Sequence, residues 1–237
     1  MRMAMESIHK GHRERLKQRF LEEGLDNFTD IQVLELLLFF AIPVKDTNPL
    51  AHALLDHFGS LSQVLEAPAE ELEKVSGVGA NVATLLTLTT ALARYYMVSR
   101  GNQTVALTTT EMCGNYLLPY FVGRRNETVF LLCLDAKCKV LCCKLVGEGS
   151  VNSANIPIRR IVEMALGMNA TTVVLAHNHP SGLAIPSGED VQTTRRLAVA
   201  LDTVDITLAD HIVVADDDYV SMTQSGLYRP GSCTLVV

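Results

Sequence analysis

Residues 171–190 read Thr171-Thr-Val-Val-Leu-Ala-His-Asn-His-Pro-Ser-Gly-Leu-Ala-Ile-Pro-Ser-Gly-Glu-Asp190. The opening run from Thr171 to Ala176 is β-branched and apolar, which predicts a buried strand leading into the histidines. Side chains two apart on a strand share a face, so His177 and His179 converge while Asn178 turns away. Pro180 cannot donate to a sheet ladder, so the strand is expected to end there and turn through Ser181-Gly182. After Pro186-Ser187, the segment Val191 to Leu201 reads as a helix that starts near Ser187. Asp190 then lies in its first turn, where a carboxylate suits the positive helix end.

Two imidazoles and a carboxylate form the ligand set that a catalytic zinc takes, with a fourth position left for water. The run therefore predicts one Zn²⁺ ion held by His177, His179 and Asp190. Ser187 and Asp190 alone would read as a helix cap of the S-x-x-D kind. Joined to H-x-H-P by a short loop, they favour a metal site.

The string H-x-H-P…S-x-x-D resembles the JAMM (MPN-plus) metalloprotease signature. With Asp210-His-Ile-Val-Val214 downstream, the whole pattern resembles the RadC family, whose members carry a historical DNA-repair label. The resemblance implies that His177, His179 and Asp190 are ligands and that Ser187 helps to hold an oxyanion. It further implies a glutamate on an upstream strand that activates the attacking water. Glu127 opens the apolar run Thr128 to Leu134 after a helical stretch over 109–120, an order similar to the family's, and is taken as that base. Two rivals are set aside: Glu148 reads as part of a turn between Gly147 and Gly149, and Glu163 falls within a helix. Many RadC relatives carry Arg-Glu where this chain has Arg159-Arg160.

The chemistry follows from those groups. A bound Zn²⁺ draws the pKa of water toward neutrality, a free carboxylate can take the proton and return it to a leaving amine, and the serine hydroxyl can stabilise the oxyanion. Amide or isopeptide hydrolysis is the expected reaction, on a protein or peptide whose identity no residue names. No H-E-x-x-H or H-x-E…P-C-x-x-C string occurs, which sets aside zincins and zinc deaminases. A two-metal nuclease calls for a second ligand cluster. Asp210, His211 and Asp216-Asp-Asp218 are nearby, but Asp210-His211 reads better as fixing a strand by hydrogen bonds. The alternative from another class is a DNA-repair-associated, DNA-binding accessory protein or nuclease, whose metal site is structural or acts on nucleic acid.

With 237 residues and 48% hydrophobic content, the chain can bury a substantial core in two domains. The longest apolar run, Val33 to Ile42, is short and carries Glu35, so it reads as a buried helix rather than a membrane span. The first ten residues lack the apolar segment of a signal peptide, and a cytoplasmic location is expected. Six cysteines are read as reduced thiols. Cys133, Cys138, Cys142 and Cys143 fall in two strands joined by a turn at Asp135-Ala136-Lys137, a hairpin better suited to packing than to a structural zinc.

Net charge is −6, and residues 1–100 and 101–237 each carry 10 Lys/Arg against 13 Asp/Glu. Neither portion has the basic field of a strong duplex binder. Lys10 to Arg19 concentrates five positive charges, and Arg13, Arg15 and Arg19 are the candidate phosphate contacts there. Residues 28–98 read as short helices. A helix over 69–75, Ser76-Gly-Val-Gly79 and a helix over 81–96 resemble a helix-hairpin-helix, with the hairpin near 76–82. Gly77 and Gly79 would allow close backbone approach to a phosphate. Val82 stands where such hairpins commonly carry lysine. Weak or structure-specific DNA contact through this domain is the expectation.

The polar stretch 101–104 reads as a linker, giving a helical domain over 1–100 and a metal-binding domain over 105–237. In the second domain the expected elements are helix 109–120, strands 128–134 and 139–146, helix 157–167, strand 171–177, helix 188–202, and strands 204–208 and 211–215. The fold class is thus an all-helical, helix-hairpin-helix-like domain followed by an α/β domain of mixed sheet. The resemblance implies a JAMM/MPN-like, cytidine-deaminase-like architecture for that second domain.

Overall fold

In the computed structural model the apolar run before the histidines forms a strand buried along its whole length, Thr172–Asn178. The structure describes residues 2–101, 106–149, 157–180 and 182–231. The chain divides into two compact units, Met1–Ala93 and Arg94–Val237.

The amino-terminal unit contains α1 (Arg2–Glu23), α2 (Asp30–Ala41), α3 (Asn48–Phe58), α4 (Leu61–Glu66), α5 (Ala69–Leu72) and the start of α6 (Ala80–Gly101). A capping box between Thr29 and Gln32 starts α2. Leu34, Leu36, Leu38 and Phe39 of its apolar run are buried while Phe40 is exposed, and the buried Glu35 is tolerated because His12 Nε2 lies 3.0 Å from Oε1 and Asn48 Nδ2 donates to Oε2. Leu34, Leu38, Leu54, Leu72 and Leu86 lie at the centre of this unit's own core. The helix expected over 69–75 ends earlier, at Leu72. There the N–H groups of Lys74 and Val75 bond three residues back, and Gly77 takes a φ of +98°, which favours glycine. The stretch expected as a linker begins with the last residue of α6, Gly101; residues 102–104 lie outside the described residues.

The second unit follows with α7 (Thr110–Phe121), β1 (Thr128–Leu134), β2 (Val140–Glu148), α8 (Ile158–Gly167), β3 (Thr172–Asn178), α9 (Gly188–Asp202), β4 (Thr207–Ala215) and β5 (Asp218–Ser221). The sheet runs β2-β1-β3-β4-β5. Only β3 and β4 are parallel, as the long crossover through α9 requires; the other pairs are antiparallel. Leu131, Val173 and Leu175 pack with Ile161 and Ala165 of α8 and Leu197 and Leu201 of α9. On the opposite face, Leu132, Leu134, Val174 and Ile212 pack with Leu117, Tyr120 and Phe121 of α7. A sheet covered on both faces explains why β1 and β3 are buried throughout and read as continuous apolar runs.

Two expectations are corrected at the end of the sheet. Strands expected at 204–208 and 211–215 are one strand, β4, which begins at Thr207 and runs unbroken through Ala209 and Asp210. Asp210 accepts from the His211 N–H, the Ser221 hydroxyl and both the N–H and hydroxyl of Thr223, so its burial is compensated. Glu148, expected in a turn, is the last residue of β2, pairs with Thr128, and meets Arg124 at 2.8 Å.

Candidate metal centre

The site lies where β3 ends and α9 begins, outside the carboxyl end of a parallel strand, the usual place for ligands in open α/β sheets. His177 and His179 are two apart and share a face, and their Nε2 atoms lie 2.9 Å apart. From α9, Asp190 brings Oδ1 to 3.3 Å from His177 Nε2 and Oδ2 to 3.7 Å from His179 Nε2. All three candidate ligand atoms lie within 4.8 Å of one another, and no second such group of His, Cys, Asp and Glu gathers among the described residues. Cys133 and Cys143 pack on opposite faces of the sheet, as alternation along strands demands, so the cysteine-rich hairpin serves packing there.

The acid is held by its helix. Ser187 caps α9 in a reciprocal box: Asp190 N–H donates to Ser187 Oγ, while the Ser187 N–H and hydroxyl donate to Asp190 Oδ2 at 2.7 and 2.6 Å. Burial works to raise the Asp190 pKa, but His177 and the hydrogen bonds from Ser187 outweigh it and hold the carboxyl below its ordinary range. Oδ1 is buried and has no hydrogen-bond partner. An ionised oxygen left in that state is costly.

The imidazoles are tied from behind. His179 Nδ1 lies 3.1 Å from the Leu183 carbonyl, an acceptor, which requires Nδ1 to carry a proton and leaves the Nε2 lone pair facing the site. His177 Nδ1 meets His211 Nε2 at 2.8 Å, His211 Nδ1 meets Thr194 Oγ1 at 2.6 Å, and Thr194 Oγ1 donates to the Asp190 carbonyl at 2.6 Å. Burial pushes His177 down to about 4, its proximity to Asp190 notwithstanding, and drives His211 well below its ordinary value. At neutral pH the imidazoles of His177 and His211 are therefore uncharged.

Two nitrogen lone pairs and an orphaned carboxylate oxygen thus point into one small space. A tetrahedral ion with bonds of about 2.0–2.1 Å to nitrogen separates its ligand atoms by about 3.3 Å, close to the spacings here. The residues present fit a divalent metal.

Glu127 precedes β1 and is partly exposed. Val129 pairs with His177 at the end of the antiparallel ladder, and Glu127 lies two residues beyond that last pair. Asn178 points away from the histidines, as its place between them predicts. Its Oδ1 accepts from Thr128 N–H at 2.7 Å, and its Nδ2 donates to the carbonyls of Arg124 and Asn126. The segment carrying Glu127 is clamped on both sides.

The amino-terminal candidates are dispersed in role. Arg13 is buried, with its guanidinium over Phe39 and donating to the Lys45 carbonyl, so it is turned away from solvent rather than offered to a phosphate. Arg19 stacks on Phe28 and donates to Glu23 and the Asn27 carbonyl. Arg15 is exposed. Gly77 and Gly79 occupy the turn before α6, and a Cβ at Gly79 would meet only open space.

The three expected ligands come together and Ser187 caps the helix that carries Asp190, while the positions behind them, His211 and Thr194, were not expected there. Thr194 follows Asp190 by four residues, one helical turn, and that spacing was an available signal. His211 could be placed only with the β3–β4 register in hand, where it stands opposite Leu175.

A family model described as the RadC-like JAB domain matches residues 107–227, the part that carries the sheet and the site. The chain is also similar to the UPF0758 protein SPO0054 of Ruegeria pomeroyi, 34% identical over 222 residues that cover 94% of this chain and 99% of the relative. The match spans both units. The chain belongs to the RadC family, and its second unit is a RadC-like JAB domain.

Proposed function

We propose that this protein is a metal-dependent hydrolase, with zinc as the ion and a peptide or isopeptide bond as the target. The observation that carries the reading is Asp190 Oδ1, buried without a hydrogen-bond partner where two histidine nitrogens converge. A divalent ion bound there would supply Lewis acidity, lowering the pKa of water and polarising a carbonyl. JAB-family membership supports the same assignment.

The chain's own residues divide the work. His177, His179 and Asp190 would hold the ion. Glu127 takes a proton from the attacking water and returns it to the departing amine, which suits a carboxylate beside the site that is not itself a ligand. Ser187 donates its hydroxyl proton to the oxygen that gains charge. That hydroxyl has a single proton, now given to Asp190 Oδ2, so the role requires it to turn away while the Ser187 N–H keeps the carboxylate in place. Asn178 keeps the Glu127 segment against the end of β3.

The test compares wild type with Glu127→Gln and His179→Ala. Metal analysis of purified wild type should find one zinc per chain, retained by Glu127→Gln and lost by His179→Ala. Peptides and conjugates that accumulate uncleaved on Glu127→Gln should be cut by wild type. Wild type that binds no zinc, with His179→Ala indistinguishable from it, would overturn the assignment; undiminished turnover by Glu127→Gln would move the base elsewhere.

A further inference from the structure

We propose that His211 and Thr194 form a directional relay that fixes the tautomer of His177 and so presents its Nε2 lone pair to the metal. The inference rests on the reading of His177, His179 and Asp190 as a metal centre, and it gives a positioning role to two side chains outside that group.

The direction follows from one fixed end. The Asp190 main-chain carbonyl can only accept. Thr194 Oγ1 lies 2.6 Å from it, so the hydroxyl proton points there. Oγ1 then has only lone pairs for His211 Nδ1, also at 2.6 Å, and His211 must carry its proton on that nitrogen. His211 is fully buried with only a hydroxyl and an imidazole as ring partners, surroundings that favour one ring proton over two, so its Nε2 is bare and accepts from His177 Nδ1 at 2.8 Å. His177 is thereby the Nδ1–H tautomer, and its Nε2 is free to bind. Reversing any link among Thr194, His211 and His177 would set two lone pairs, or two protons, against each other in a region closed to water, since Thr194 and His211 have no exposed surface and His177 almost none; the one pair of facing lone pairs that the relay leaves, His177 and His179 Nε2 at 2.9 Å, is the pair that a metal ion would hold.

The relay also explains why polar groups occupy the interior of β4 and the middle of α9. A metal-bound imidazole is ordinarily oriented by a carboxylate, a carbonyl or water behind it. Here the partner is a second imidazole, and it closes a loop back to the main chain of the aspartate that supplies the third ligand. One arrangement of hydrogen bonds thus ties strand β3, strand β4 and helix α9 at the site. Thr194 Oγ1 also lies 3.5 Å from Met222 Sδ, a weak acceptor that leaves the polarity unchanged.

Two measurements test this on the full chain. In metal-free wild type at neutral pH, long-range ¹H–¹⁵N correlations of the His177 ring should show the Nδ1–H form. In Thr194→Val, a near-isosteric change that removes the hydroxyl, that form should no longer dominate. Zinc affinity, read by competition with a chromophoric chelator, should fall by about 10- to 100-fold in Thr194→Val and in His211→Phe. His211→Gln, whose amide oxygen can still accept from His177 Nδ1, should recover part of the loss. Ser221→Ala, which loosens Asp210 on the same strand, controls for loss of stability alone and should leave both readouts unchanged. An Nε2–H form in metal-free wild type, or zinc affinity in Thr194→Val equal to wild type, would overturn the relay. Wild type that binds no zinc would defeat the metal reading, while the ring spectrum would still decide the relay.

Discussion

Asp190 sits in an unfavourable place for a metal-free protein: ionised, buried, and faced by nitrogen lone pairs on one side while Ser187 satisfies the other. Asp190→Asn keeps an oxygen for the Ser187 donors and turns an N–H toward His177 Nε2, replacing an orphaned charge with a hydrogen bond. Metal-free stability should hold or rise by about 1 kcal/mol while zinc binding is lost. Chemical denaturation in the presence of a chelator, beside a zinc titration, measures both; a marked fall in metal-free stability would mean that the carboxylate serves the fold. At this scale the site was largely legible, because H-x-H is local in sequence and a strand fixes which side chains share a face. Asp190 was legible for a similar reason, since a cap pattern fixes where a helix begins. His211 was not, because its partner stands 34 residues earlier and the contact is made by strand pairing.

Elements, too, were legible where their pattern is local. The helix over 188–202 and the strand over 128–134 have the bounds expected of them, set by a cap in one case and by an apolar run between polar turns in the other. β4 was divided in two because a charged Asp210 amid apolar residues looks like an interruption until its buried partners are known, and β5, four residues long, carries too little pattern to signal a strand. Ser187→Ala should remove the cap of α9 and cost about 0.5–2 kcal/mol, read as a lower denaturation midpoint in metal-free protein. A separate junction joins α7 to β5. A Cβ added at Gly114 would come within 2.2 Å of the Tyr219 ring. Gly114→Ala should therefore force the ring out of place and cost about 1–3 kcal/mol, with zinc affinity unchanged because the contact lies on the sheet face opposite the histidines. A Gly114→Ala variant as stable as wild type would show that the ring moves freely.

On the scale of the whole molecule, the two units have separate cores, and only the second carries the site. Unfolding of the full chain is therefore best followed through the transition that responds to zinc, since a two-state description of both units together is not warranted. That transition should depend on pH in metal-free protein. His177 titrates near 6.5 when unfolded and is pushed down to about 4 in the fold, because burial disfavours the charged ring. Between those values the unfolded chain binds the proton and the folded chain does not, so stability rises with pH, by at most about 1.4 kcal/mol per pH unit for one such group. The contribution is present in full above about pH 6.5 and is lost as pH falls toward 4. His211 is shifted in the same direction and adds to the slope. Asp190, held below its ordinary value, loses its contribution only at still lower pH, whereas Asp210, raised by burial, binds its proton more readily when folded and opposes the trend. Histidine terms should win because two of them act together. Denaturation midpoints measured in chelator from pH 7 to about pH 4.5 should fall steadily for wild type and less for His177→Gln, which has no proton to exchange there. Equal slopes for the two proteins would show that His177 is already charged in the metal-free fold. In that case the converging lone pairs on which the metal assignment depends would not exist.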